Sequence, residues 1–181
     1  MFYRRYISDE DKRERFTQLF ENEEMFRILD REVLPFAETM KKLIAEHPEF
    51  EREIGIFDRQ FSEIVTGEME GMRDLLLQLK KEGFMLYGIT NWSSKVYHIM
   101  EQYPIFQLLD GWVISSEEKL LKPEPEIYLC LCERFGLKPS ECLFTDDKTE
   151  NVEGARRVGM SGIVFANAIQ YERELRKMLQ Q

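Results

Sequence analysis

The run Cys142-Leu143-Phe144-Thr145-Asp146-Asp147 limits the fold more tightly than any other segment. A short apolar stretch that stops on two adjacent carboxylates, with a helix pattern from Asn151, reads as a buried strand feeding a helix. In open parallel sheets ligands gather beyond the carboxyl ends of the strands, so Asp146 and Asp147 fall where chemistry is usually done. A plainer explanation stands beside that one: an Asp after a strand is a common helix N-cap, and its neighbour can be a solvated charge. Two further strand ends lie upstream, Thr90-Asn91 after Phe84 to Ile89, and Lys122-Pro123 shortly after Trp112 to Ser115. One hydroxyl, one ammonium and two carboxylates can therefore meet at one edge of a sheet.

From about residue 72 the pattern alternates. Met72, Leu75, Leu76 and Leu79 define an amphipathic helix stopped by Gly83, and the strand Phe84 to Ile89 follows. Ser93 and Ser94 can cap a helix to about Gln102, ended by Pro104, with His98 on its exposed side. Then come a strand near Trp112 to Ser115, a polar loop, and a helix begun by Pro123 or Pro125 and stopped at Gly136. Cys142 to Thr145 is the third strand and Asn151 to Val158 the next helix. Ile163 to Phe165 gives a fourth strand and Ile169 to Gln181 a last helix. Strands separated by helices imply an α/β fold, a parallel doubly wound sheet with right-handed crossovers.

Residues 1 to about 66 read differently, as all-helical. Ser8 with Asp9, Glu10 and Asp11 signals a helix start ahead of Phe16, Leu19 and Phe20. A second helix runs near Glu23 to Leu34. A third has Pro35 in its first turn and stops before His47-Pro48, and a fourth carries Phe50, Ile54, Phe57, Phe61 and Ile64. The aromatic stripes have packing spacing. Thr66 to Gly71, with two glycines, reads as a hinge, giving a helical domain over 1–66 and an α/β core over 67–181.

Hydrophobic residues at 43% and charged residues at 33% fit a globular chain. The net charge of -9 argues against nucleic acid or an anionic membrane surface as main partner. No apolar run approaches the ~20 residues that a bilayer requires, and Met1 to Arg5 leads into charge, so a cytoplasmic location is expected. Cys130, Cys132 and Cys142 lack zinc-type spacing and read as small buried or half-buried thiols. No GxGxxG follows a strand and no GxxxxGK[ST] is present. A phosphorelay receiver uses similar groups but puts its acidic residues first, whereas this chain runs Thr90, Lys122, then Asp146-Asp147.

In that order, Ile89-Thr90-Asn91-Trp92-Ser93, Leu121-Lys122-Pro123-Glu124-Pro125-Glu126-Ile127-Tyr128, and Leu143 to Asp147 with Asn151-Val152 and Gly154-Ala155 resemble motifs two, three and four of the haloacid dehalogenase superfamily. The likeness is closest to its helical-cap, phosphatase-like branch. It implies a Rossmann-like parallel sheet with an N-terminal all-helical cap, and a phosphoric monoester hydrolase working through an aspartyl-phosphate. Thr90 would donate to a phosphoryl oxygen, Asn91 would orient it or the backbone beside it, and Lys122 would neutralise charge on the phosphoryl group and the nucleophilic carboxylate. Asp147, with Asp146 directly or through water, would hold Mg²⁺, a hard ion suited to carboxylates. Two acidic residues at 146 and 147 favour the metal-dependent phosphatases over the metal-free dehalogenases. A small phosphorylated metabolite, of sugar-phosphate type in the nearest branch, is the implied partner.

Family members also open with an apolar strand ending in Asp-x-Asp, whose first Asp is the nucleophile. Met1 to Tyr6 resembles the stretch just after it, and Asp9 and Asp11 read as helix-start carboxylates rather than nucleophiles. The central strand of the sheet is thus expected to be missing, leaving unpaired backbone at roughly 1 to 3 kcal/mol for each buried group unless the position is filled or the sheet closes up. Two expectations follow: a phosphatase lineage whose chain is inactive or impaired as it stands, or a non-catalytic binding module on the same fold.

Overall fold

The computed structural model describes residues 2–180, so Met1 and Gln181, named above in the first stretch and the last helix, lie outside the described residues. The chain begins with α1 (Phe2–Tyr6), α2 (Glu10–Phe20), α3 (Glu23–Arg31), α4 (Phe36–Glu46) and α5 (Glu51–Arg59). Asp9 caps α2 by accepting from the Lys12 amide at 2.7 Å, and Asn22 caps α3 by accepting from Met25 at 2.9 Å. Both leave the strand-forming region for the helix as N-caps do. The second helix stops at Arg31, short of Leu34, because Glu32 turns left-handed with φ of 46°. Its carboxylate then accepts the Phe36 amide at 3.1 Å, so it starts α4 across the turn, with Pro35 as cap rather than inside the first turn. Phe16, Phe20, Phe36, Phe50, Phe57 and Phe61 close this region into one aromatic core. Ring pairs such as Phe16 and Phe20, 4.6 Å apart, supply the packing.

The rest alternates: α6 (Met72–Lys81), β1 (Tyr87–Thr90), α7 (Val96–Gln102), β2 (Gly111–Ile114), α8 (Ser115–Glu118), α9 (Pro125–Phe135), β3 (Leu143–Asp146), α10 (Thr149–Arg157), β4 (Ser161–Val164) and α11 (Ala168–Leu179). The segment after β2, expected as a loop, makes the one-turn α8 instead. β1 is shorter than Phe84 to Ile89 because Asp110 engages the backbone ahead of it: its carboxylate accepts the Leu86 amide at 2.8 Å, and its own amide donates to Leu86 at 2.6 Å.

The strands are parallel, as the alternation requires, but they do not form one sheet. β1 pairs with β2, Tyr87 opposite Gly111 through Thr90 opposite Ile114; β3 pairs with β4, Leu143 opposite Ser161 through Asp146 opposite Val164. Among the described residues no strand joins β1 to β3. A largely apolar cavity of about 550 Å³ lies there, with Tyr87 and Ile89 on one wall and Leu143 and Phe144 on the other. One core cluster bridges the gap, with Val113, Ile127, Tyr128 and Leu131 joined by Ala155 and Met160 and flanked by Ile89 and Phe144; the other is built on Leu75, Leu79, Ile163, Tyr171 and Leu175. The sheet does not close up over the gap.

Candidate active site

Lys122 joins the two halves at the carboxyl ends of their strands. Its ammonium donates to the Ile89 carbonyl of β1 at 3.0 Å and to Asp146 Oδ2 at the end of β3 at 2.6 Å. The loop carrying Lys122 is itself fixed to β1. The Asn91 side chain accepts the Lys122 amide at 2.8 Å and donates to the Lys122 carbonyl at 3.0 Å, so both ends of one amide group hold one residue. Thr90 is the last residue of β1, next to the carbonyl that Lys122 meets.

Asp146 is anchored from the other side. Its Oδ1 accepts the Lys148 amide and the Asn151 side chain, both at 2.9 Å. Asn151 sits in the first turn of α10, whose backbone there is held by the buried Tyr128 hydroxyl donating to the Asn151 carbonyl at 2.7 Å. The Lys122 and Asp146 side chains are only 11% and 8% exposed. Burial by itself pushes the Asp146 carboxyl up, yet the Lys122 ammonium, with the Lys148 and Asn151 hydrogen bonds, holds it below the usual carboxylate range. It is therefore a fixed anion. Lys122 has three donors and spends two on these partners, which leaves one for an incoming oxygen.

Asn91, Lys122 and Asp146 are thus in direct contact, with Thr90 beside them, while Asp147 follows on the exposed side of the loop. No cluster of three or more His, Cys, Asp or Glu suited to a metal occurs among the described residues. The donors present are two adjacent carboxylates, one exposed and one tied to Lys122. That set suits Mg²⁺, which keeps several waters and takes one or two carboxylates together with substrate oxygens.

Three residues take part that no sequence signal marks: Asp30, Ser115 and Glu32. Asp30, at the end of α3, lies in the cleft between the helical region and the loop after β1, and its carboxyl is pushed up to about 6 by burial against the opposing pull of Lys148 and Lys122. An Asp in the last turn of an amphipathic helix carries no positional signal for this. Ser115 joins the two regions, its hydroxyl accepting the Trp92 amide at 2.8 Å and donating to the Asp30 carbonyl at 2.6 Å. Glu32 does the same, accepting from the Ser94 amide at 2.6 Å and hydroxyl at 2.9 Å. Arg31 pairs with Glu124, and Phe61 meets Trp92 edge to face, 6.2 Å between centroids.

A parallel α/β protein with Lys, Asn and Asp converging at its strand ends carries its polar groups where proteins of that class place their ligands. Within that class the assignment is specific: the model of the haloacid dehalogenase-like hydrolase family matches residues 4–159, and the chain belongs to that family. It is 31% identical over 107 residues to the chloroplastic flavin mononucleotide hydrolase 1 of Arabidopsis thaliana, covering 59% of this chain and 44% of that protein. It is 33% identical over 109 residues to the sesquiterpene phosphatase astK of Aspergillus oryzae, covering 60% of this chain and 56% of that one. The chain thus aligns with about half the length of these relatives. In fold it is similar to a HAD-like family hydrolase of Porphyromonas gingivalis, with a TM-score of 0.72 over 92% of this chain and 83% of that one at 20% identity. A HAD family enzyme of Bacteroides thetaiotaomicron, in a complex with magnesium and inorganic phosphate, gives a TM-score of 0.71 over 87% of this chain and 83% of that one at 20% identity. No helix among the described residues is long and apolar enough to cross a membrane.

Proposed function

We propose that the site binds the phosphoryl group of a small phosphate monoester, in the manner of a Mg²⁺-dependent phosphatase. The observation that carries this reading is the Lys122 ammonium, held between the ends of β1 and β3 with a donor to spare. Lys122 neutralises a phosphoryl oxygen, Thr90 donates its hydroxyl to another, and Asn91 keeps the Lys122 loop in register with β1. Asp147, assisted by Asp146, holds Mg²⁺, which when bound offsets the remaining phosphate charge. The helical region over 1–66 acts as a cap on the α/β part over 67–181, closing the cleft in which Asp30 lies.

Turnover through a covalent intermediate needs a carboxylate free to attack phosphorus. Among the described residues the carboxylate hydrogen-bonded to Lys122 is that of Asp146, and it is already committed to three donors. Asp146 therefore serves binding and charge neutralisation rather than attack, and the reading extends to phosphate binding and no further. Calorimetric titration with inorganic phosphate, with and without Mg²⁺, tests the reading alongside hydrolysis of p-nitrophenyl phosphate. The expected result is saturable, Mg²⁺-dependent binding, weakened about tenfold or more by substitution of the exposed carboxylate, Asp147→Asn. Absence of binding overturns the phosphate site; turnover that Asp147→Asn abolishes overturns the restriction to binding.

A further inference from the structure

The cleft beside the phosphate site is too large and too aromatic for a small polar ester. It has a volume of about 770 Å³ and runs from Asn91 and Asp30 outward between Phe57, Phe61 and Trp92 to Phe26 and Ile64. Pockets of this size that are lined by aromatic side chains bind by burying apolar surface, with a few polar groups to orient the ligand. Phe26 is 49% exposed and Ile64 is 40% exposed, although both sit on the rim of a cleft in a region with a well-filled aromatic core. Several polar groups of the wall are engaged elsewhere. Both ends of the Asn91 amide serve the Lys122 backbone, and Glu63 accepts from Arg5 and from the Tyr6 hydroxyl, each at 2.7 Å. Arg5, Glu21, Asp30 and Thr66 are further polar groups of the lining, and between Phe26, Phe57, Phe61, Ile64 and Trp92 a ring or branched hydrocarbon finds faces to cover.

Resting on the phosphate site proposed above, we infer that this cleft receives the bulky apolar alcohol portion of the ester, so that the ligands of the chain are phosphate monoesters of aromatic or comparably large hydrophobic alcohols. The phosphate end lies at Lys122 and Thr90, Asn91 marks the passage between the two subsites, and Trp92 with Phe61 forms the wall against which the alcohol packs. The rim residues Phe26 and Ile64 complete the enclosure and set the preference for apolar groups.

Calorimetry on the full chain with Mg²⁺ separates the two readings, using inorganic phosphate, glycerol 3-phosphate and 1-naphthyl phosphate as probes. Burial of a naphthyl group is expected to tighten binding about tenfold or more over the other two. The exposed rim substitutions Phe26→Ser and Ile64→Ser are expected to remove most of that advantage and to leave inorganic phosphate affinity unchanged. Equal affinity for all three probes overturns the apolar subsite while sparing the phosphate site, as does an advantage that survives both substitutions. Failure of all three probes to bind overturns the phosphate site and this inference with it.

Discussion

Asp30 is a carboxyl whose surroundings favour its neutral form, and that has a measurable cost. Its folded value of about 6 lies above the unfolded value of 3.8, so between these two the folded state holds a proton that the unfolded chain has released. Stability attributable to Asp30 therefore falls as pH rises from about 4 to about 6 and stays low above that. A shift of this size corresponds to an upper figure of about 3 kcal/mol, and partial solvation reduces it to about 1 to 2 kcal/mol. Asp30→Asn keeps the shape and removes the titration. Urea denaturation at pH 4.5 and 7.5 is expected to show the variant more stable than the parent at the higher pH and little different at the lower. Equal stabilities at pH 7.5 would place the carboxyl in water and outside the cleft.

The helix α10 shows how much of the site depends on one close approach. At Gly154, an added Cβ would come within 2.8 Å of both the Pro123 carbonyl oxygen and the Tyr128 hydroxyl. Backbone and a buried ring cannot yield cheaply, so Gly154→Ala must push α10 away from the loop that carries Lys122. The expected cost is on the order of 2 kcal/mol, with phosphate affinity falling in parallel because Asn151 and Asp146 move with the helix. A thermal melt and a phosphate titration on the same variant check both; unchanged values would mean that the loop and helix are not in contact. The sequence alone gives no physical reason for a glycine at 154, and the contact supplies one. The strands, most helices and the meeting of Lys122 and Asp146 at the strand ends were legible because apolar runs, caps and strand ends are local signals, whereas the hold of Asn91 on the Lys122 backbone was not. Asp30, Glu32 and Ser115 were not, since each works through a partner far along the chain: the Glu32 carboxylate reaches Ser94, and Ser115 reaches Asp30. Strand patterns count strands without saying which of them pair; the gap between β1 and β3 was expected from the family resemblance, through its central strand, and the break falls there.

Across the molecule, no strand pairing joins the two parallel pairs among the described residues; a shared apolar cluster and Lys122, with one hydrogen bond to each half, span the gap. A parallel strand alternates its amides between its two edges. In β1 and β3 one edge is closed by β2 and β4, while the other faces the cavity between Tyr87, Ile89, Leu143 and Phe144. Interior strands are ordinarily the most protected segments of a domain, because both edges are paired and opening them needs global unfolding. Here half of that protection is missing. Amide hydrogen exchange is therefore expected to divide β1 and β3 residue by residue, with cavity-facing amides exchanging at least about tenfold faster than those bonded to β2 and β4. The same opening exposes apolar walls, so a hydrophobic dye that fluoresces on binding should gain intensity with the native chain at neutral pH. Dye binding without the split in exchange rates would point to the cleft lined by Phe26 and Trp92 instead, and uniform protection along both strands would mean that the edges are paired in solution.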